Sequence, residues 1–332
     1  MSSILNSLER EIIIDEVLDA ARTNLTEFGN PFLDDALLGI LPNDLCVIGG
    51  LPGYGKSQFA ASIAAYNASV KKKNVVFIAL EAEPNEVEMR LRYSIEAHLY
   101  FKDQNRNRAL TVNYRKWRLG LLQNDFKKYK EEAISIFIQR YSSLHTVYRT
   151  EQYGIKDFER NLDEAKEFGD LFIADHLHFF DLESGKNENS EVGAIMKKIR
   201  SLNLFYNKPF IVLAHLRKNE QVMVPSLQDF HGTSDIGKIA TVAVMLSRDP
   251  EGYDAKNQVQ KTIISIPKSR TGGLGNLVGC LDYSIQHQGY LPNYSLAKVL
   301  RFKDKEKLEP LNEEEIPGWA ERAKAKIQDP KR

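Results

Sequence analysis

The stretch Gly50-Leu51-Pro52-Gly53-Tyr54-Gly55-Lys56-Ser57 satisfies G-x-x-x-x-G-K-[ST] at every fixed position. Its glycines let successive backbone N–H groups turn inward around a phosphate. LCVIGG, Leu45 to Gly50, leads in as a short apolar run, and QFAASIAAYNAS leads out as a helical one beginning at Gln58. A strand, a glycine turn and a helix form the context in which this motif binds phosphate, because the helix N-terminus adds its partial positive charge. Gly50, Gly53, Gly55 and Gln58 are expected to line a bound ATP. Lys56 is expected to bridge its β- and γ-phosphates, and the Ser57 hydroxyl to ligate Mg²⁺.

Working outward, five more runs share the character of LCVIGG: VVFIAL (Val75 to Leu80), LFIAD (Leu171 to Asp175), FIVLAH (Phe210 to His215), TVAVML (Thr241 to Leu246) and KTIISI (Lys261 to Ile266). They are short, rich in Val and Ile, and apolar at both alternating positions. Strands buried on both faces imply an α/β fold, a mostly parallel twisted sheet with helices on each side. Between the second and third runs, Glu86 to Gly169 reads as helical, and its basic clusters RKWR (Arg115 to Arg118) and KKYK (Lys127 to Lys130) read as solvated helix faces, with contact to phosphates as the alternative. Ser3 to about Thr23 places Leu5, Leu8, Ile12, Ile13, Val17 and Ala20 near helical spacing. That helix either lies on its own core or docks on a neighbouring subunit. The expected organisation is a helical arm over 1–29, an ATPase core over 30–300, and a charged, Pro-punctuated tail over 301–332 with at most one helix, pinned by Trp319.

Composition narrows the class. The chain has 332 residues, with 45 Lys plus Arg balancing 45 Asp plus Glu, so a protein that wraps or broadly coats nucleic acid is disfavoured. Cys46 and Cys280 are the two cysteines, too few for a zinc cluster or a disulfide scaffold, and they point to a reducing, cytoplasmic setting. No run reaches the roughly 18 apolar residues of a membrane helix, so no membrane partner is expected.

Three strand ends carry groups that hydrolysis needs. Asp175 closes LFIAD, and an isolated carboxylate there is costly unless a cation or hydrogen bonds meet it, which suits a metal-linked aspartate; the alternative is a helix N-cap. Glu81 follows VVFIAL at the edge where open α/β sheets bind ligands, and is placed to orient or deprotonate water, with Glu83 as its rival. His215 ends FIVLAH, where its imidazole can bond a γ-phosphate and report its loss.

The order of these motifs resembles the RecA-like core of hexameric replicative DNA helicases, of the DnaB type and the phage helicase–primase type. The resemblance covers about Asn30 to Tyr290 through LLGILPNDLCVIGGLPGYGKS, FIALEAE, FIADHLHFF, IVLAHLRK, FHGTSDIGKIATVAVMLSR and IPKSRTGGLG. It implies that Glu81 is the catalytic glutamate, Asp175 the Mg²⁺-linked aspartate and His215 the γ-phosphate sensor. Lys268 and Arg270 match the K-x-R pair that such rings insert into the adjacent subunit's ATP site. Arg248 and Tyr283 match the arginine and tyrosine that sandwich the nucleotide base in the phage-type relatives. The loops after Asp175 and His215 face the ring channel in that family and here offer Lys186, Arg217, Lys218 and Asn219 to single-stranded DNA. Relatives carry a further N-terminal module, whereas about thirty residues precede this core, so recruitment is expected to fall to another protein, such as a loader or replication-initiator protein, or to another surface.

Two functions follow. One is a Mg²⁺-dependent motor, a homohexamer that hydrolyses ATP and moves on single-stranded DNA in replication. The other is a RecA-fold ATPase acting as a nucleotide-switched assembly factor in recombination, repair or plasmid and phage replication, without unwinding.

Overall fold

Each of the six apolar runs becomes a strand of one ten-stranded sheet in the computed structural model, which describes residues 6–122, 124–149, 151–182, 187–217, 223–270, 272–302, 305–320 and 323. The strands are β1 (Leu45–Gly50), β2 (Val75–Ala79), β3 (Leu144–Tyr148), β4 (Leu171–Asp175), β5 (Phe210–His215), β6 (Val242–Asp254), β7 (Val259–Lys268), β8 (Leu277–Ser284), β9 (Gly289–Phe302) and β10 (Lys305–Pro310). Their spatial order is β10-β9-β8-β7-β6-β1-β5-β4-β2-β3. From β3 to β6 every neighbouring pair is parallel, and from β6 to β10 every pair is antiparallel.

Alternation along β1 sends Cys46 and Ile48 to one face and Leu45 and Val47 to the other. On the first face they meet Phe59, Ile63 and Ala64 of the helix Lys56–Ser69. On the second they meet the helices Ile155–Ala165 and Glu188–Tyr206 through Phe158, Met196 and Ile199. Two buried faces explain why the parallel strands read as unbroken apolar runs. A separate aromatic cluster, built on Tyr93, Tyr100, Phe126 and Tyr129, supports the helical stretch after β2. There Trp117 donates to Glu96 and Arg118 pairs with Glu83, so part of the RKWR cluster is engaged within the chain.

Three expectations change. KTIISI lies in β7, which is antiparallel to β6, because a turn of only a few residues after Asp254 cannot make a parallel crossover. β3 was hidden in a stretch that otherwise reads as helical. The stretch expected to be a tail joins the body: β10 pairs with β9, Leu311, Ile316 and Ala320 enter the core, and Trp319 packs 6.4 Å from Phe32. Its alternating Lys and Glu are the charges of a sheet-edge strand rather than of a free tail.

The helix Ser7–Thr23 starts with a reciprocal Asn6–Glu9 capping box. Leu8, Ile14, Val17 and Leu18 face solvent, Leu8 74% and Val17 60% exposed, and no described residue of the helix enters a core cluster, so the helix does not lie on its own core. Among the described residues no helix is long and apolar enough to cross a membrane.

Candidate functional site

Parallel β1, β2, β4 and β5 all point their carboxyl ends to one edge, which brings the P-loop, Glu81, Asp175 and His215 together there. Gly53 and Gly55 adopt φ of 77° and 86°, the left-handed region open to glycine, and Gly55 is the N-cap of the helix Lys56–Ser69. A Cβ on Gly53 would meet nothing within 4 Å, so its requirement is conformational. At Gly50 a Cβ would sit 3.0 Å from Lys56 Cγ and 3.2 Å from the Leu246 carbonyl, so there the requirement is space.

These elements frame a cleft of about 440 Å³ whose lining includes Gly53, Gly55, Lys56, Ser57, Glu81 and His215. Its volume lies in the range of small-molecule and cofactor sites. Lys56 is 5% exposed; its ammonium donates to the Leu51 carbonyl at 3.2 Å and to His215 Nδ1 at 3.0 Å. Burial lowers the Lys56 pKa, which Glu81 and Asp175 partly oppose. Burial also pushes the His215 pKa down to about 3, with help from His176 and Lys56, so a neutral ring accepts from Lys56.

Asp175 is 1% exposed, and burial raises its pKa to about 6 despite a hydrogen bond from Ser57. Its Oδ1 has no hydrogen-bond partner. A buried carboxylate oxygen left bare beside a hydroxyl fits a hard divalent cation that takes oxygen ligands. Glu81 is 44% exposed on its side chain and faces both the main cleft and a smaller adjoining one of about 220 Å³ that also reaches Ser57 and Asp175. Its rival Glu83 is tied to Arg118.

Arg248 and Tyr283 both line the main cleft but do not face each other as a stacked pair. The Arg248 guanidinium lies 5.4 Å from the centre of the Tyr54 ring, and Tyr283 packs edge-on against Tyr290 at 5.1 Å. Gln58 also lines the cleft and donates to the Gln288 carbonyl at 2.7 Å.

Lys268 and Arg270 are elsewhere. Antiparallel β7 carries Lys268 to a pairing with Ala243, at the start of β6, while the P-loop follows Gly50, which pairs with Leu246. Strand rise alone separates the two sites by roughly 10 Å or more. At that amino edge Lys268 donates to the Gly237 and Lys238 carbonyls, both at 2.9 Å. Arg270 Nε lies 3.0 Å from Asp44 Oδ1, and its Nη2 donates to the Asn43 carbonyl at 3.0 Å.

Arg217 is exposed just beyond β5 and returns one bond to the Gly232 carbonyl at 3.4 Å. Lys186, Lys218 and Asn219 lie outside the described residues.

Sequence reasoning missed two groups. Arg90 lines the cleft and ion-pairs with Glu86 at 2.6 Å; only its helix, not its direction, is legible from spacing. His176 is fully buried with its Nε2 3.2 Å from Glu81 Oε2, a contact that holds the Glu81 carboxyl below its ordinary range. The signal was a histidine directly after the strand-ending aspartate. Among the described residues Glu81, His176 and His215 also come close enough together to ligate a transition metal. Two contacts oppose that use: His176 Nδ1 accepts from the His178 N–H at 3.2 Å, and His215 Nδ1 accepts from Lys56.

Residues 26–286 match the model of the DnaB-like helicase C terminal domain family. The chain belongs to that family. It is similar to a probable replicative DNA helicase of Trieres chinensis, 24% identical over 258 residues that make 74% of this chain and 52% of that protein. It is likewise similar to a replicative DNA helicase of Bacillus subtilis, 26% identical over 258 residues, again 74% of this chain and 52% of that protein. The chain therefore spans about half the length of these curated relatives. Among solved structures, an ATPase domain superposes with a TM-score of 0.70 at 18% identity, covering 87% of this chain and 99% of that one. A DnaB-like replicative helicase, described together with its interactions with primase, superposes with a TM-score of 0.69 at 17% identity, covering 86% of this chain and 68% of that one. The family's RecA-like fold is thus the fold of this chain.

Proposed function

We propose that the chain is the ATP-hydrolysing motor of a replicative DNA helicase, active as a homohexameric ring that moves on single-stranded DNA. The observation that carries this reading is the division of the hydrolytic set between two edges of one sheet. The P-loop, Asp175, Glu81 and His215 share the carboxyl edge, while Lys268 and Arg270 lie on the amino edge. A subunit built this way completes its site only when a neighbour presents its amino edge, so turnover depends on assembly.

Within one subunit the P-loop N–H groups and Lys56 hold the phosphates. Ser57 and Asp175 would hold Mg²⁺, for which the bare Asp175 Oδ1 is suited. The ion would neutralise charge on the β- and γ-phosphates. Glu81, ionised and partly open to solvent, takes the position of the group that orients and deprotonates water. The neighbour's Arg270 supplies charge to the transition state, and Lys268 accompanies it. Arg248 and Tyr283, which line the cleft, contact the base without selecting among bases. Arg217, with Lys186, Lys218 and Asn219, offers backbone contacts to a single strand, repeated around the pore. A loader or initiator recruits the ring to DNA.

The test is ATP hydrolysis with and without single-stranded DNA, together with strand displacement on a forked duplex. DNA-stimulated turnover with displacement supports the motor. Nucleotide-dependent assembly without displacement favours an assembly switch instead.

A further inference from the structure

His176 sits where no assigned role accounts for it. The ring is fully buried, held edge-on against Phe179 at 4.9 Å and against His215 at 3.9 Å between centroids. Its Nδ1 accepts a hydrogen bond from the His178 backbone N–H. In a neutral imidazole that bond places the remaining proton on Nε2. Nε2 is the atom that lies 3.2 Å from Glu81 Oε2, yet it is not aligned on the oxygen and has no other hydrogen-bond partner.

A buried donor without an aligned acceptor is costly and calls for an explanation. The neighbourhood supplies one. Glu81 hangs from the end of β2 with nearly half its side chain open to solvent. Catalytic hydrogen bonds are often long or poorly aligned in the ligand-free state and tighten around the substrate. From a 3.2 Å approach, a small rotation of the Glu81 side chain would align its carboxylate on this fixed donor.

We propose that His176 is a positioning residue for hydrolysis: its backbone-locked Nε2–H holds the Glu81 carboxylate in the orientation that engages water. Its edge contact with His215 puts the same ring between the water-directing glutamate and the residue that faces the γ-phosphate. This inference rests on the reading of Glu81 as the catalytic glutamate.

Two substitutions separate the donor from its packing. His176→Gln can place an amide N–H near the position of Nε2. His176→Asn keeps an acceptor for the His178 N–H but is too short to reach Glu81. Steady-state ATP hydrolysis by the assembled full chain is expected to fall roughly 10- to 100-fold in kcat for His176→Asn, the worth of a hydrogen bond to a charged group. Its KM for ATP should stay unchanged, and His176→Gln should recover most of the loss. In a Glu81→Gln background the difference between the two substitutions should vanish, because the donor then has no carboxylate to hold. Equal kcat for the two variants, a loss expressed in KM, or an undiminished difference in the Glu81→Gln background would each overturn the proposal. If Glu81→Gln alone leaves hydrolysis intact, it is the assignment of Glu81 that fails. Nucleotide affinity of each variant, measured with a fluorescent ATP analogue, reports whether the P-loop site has folded; if His176→Asn fails that check, His176→Gln compared with wild type carries the test, and a kcat loss above tenfold there counts against the proposal.

Discussion

At the carboxyl edge of the sheet Lys56 is 5% exposed and shares its ammonium with Leu51 and His215, whereas at the amino edge Arg270 is 46% exposed and rests on Asp44 and the Asn43 carbonyl. Asp175 is buried with one bare oxygen, whereas Arg270 is half in solvent and already paired. The buried edge is arranged around a ligand that neutralises it. The exposed edge holds Arg270 against a buried Asp44 that also accepts from Leu41 N–H and the Thr241 hydroxyl, so Asp44 keeps two hydrogen bonds when the arginine leaves. On the proposed reading, the first half-site takes nucleotide and metal and the second meets another copy of the chain.

The largest expected effect breaks both halves but in different assays. Lys56→Ala and Arg270→Ala should each lower turnover of the assembled protein by about 10³-fold or more. Nucleotide binding by the isolated subunit should fail only for Lys56→Ala, as equilibrium titration with a fluorescent ATP analogue would report. Loss of binding in Arg270→Ala would mean that the two edges are not independent.

Asp175→Asn sharpens the contrast through stability. The folded-state pKa of about 6 stands above the ordinary value of 3.8, so the native state binds the extra proton and wild-type stability declines as pH rises through that interval. Above pH 7 the charge is fully present, and in the ligand-free chain the Ser57 hydrogen bond and the Lys56 ammonium offset its burial only in part. Asp175→Asn should therefore be more stable there by about 1–3 kcal/mol, with the gain fading as pH falls from 6 to 4, while hydrolysis is lost. Denaturant melts at pH 4 and pH 7.5 measure it, and a gain independent of pH would contradict the assigned burial cost.

The smallest effect concerns the parking contact. Asp44→Asn should cost about 1 kcal/mol through the weakened Arg270 pair and through the bonds Asp44 accepts from Leu41 N–H and the Thr241 hydroxyl. Nucleotide binding should not change. A thermal melt paired with a binding titration separates the two readouts.

The difference between the edges also explains what the sequence makes legible. The P-loop, Asp175, Glu81 and His215 each end or follow an apolar strand, and parallel strands deliver such ends to one edge without further information. β7 carried the same apolar signature although it runs the other way, because burial on two faces does not encode direction. β10 was masked by its edge charges, and β3 by the helices around it. His176 escaped notice because its role lies in a 3.2 Å approach to Glu81 across two strands, a distance that spacing along the chain cannot encode. Arg248 and Tyr283 were placed at the cleft by motif, yet their ring partners are Tyr54 and Tyr290, which is a matter of rotamer and packing.

The claim that one catalytic site is divided between two subunits is tested most directly by mixing. Lys56→Ala subunits lack a working carboxyl edge but keep Arg270, and Arg270→Ala subunits have the opposite defect. Combined in equal amounts with ATP, Mg²⁺ and single-stranded DNA, the two inactive proteins should recover a substantial share of wild-type hydrolysis, because some interfaces then join two intact edges. Co-assembly without any recovery, verified by mass, would contradict the shared site.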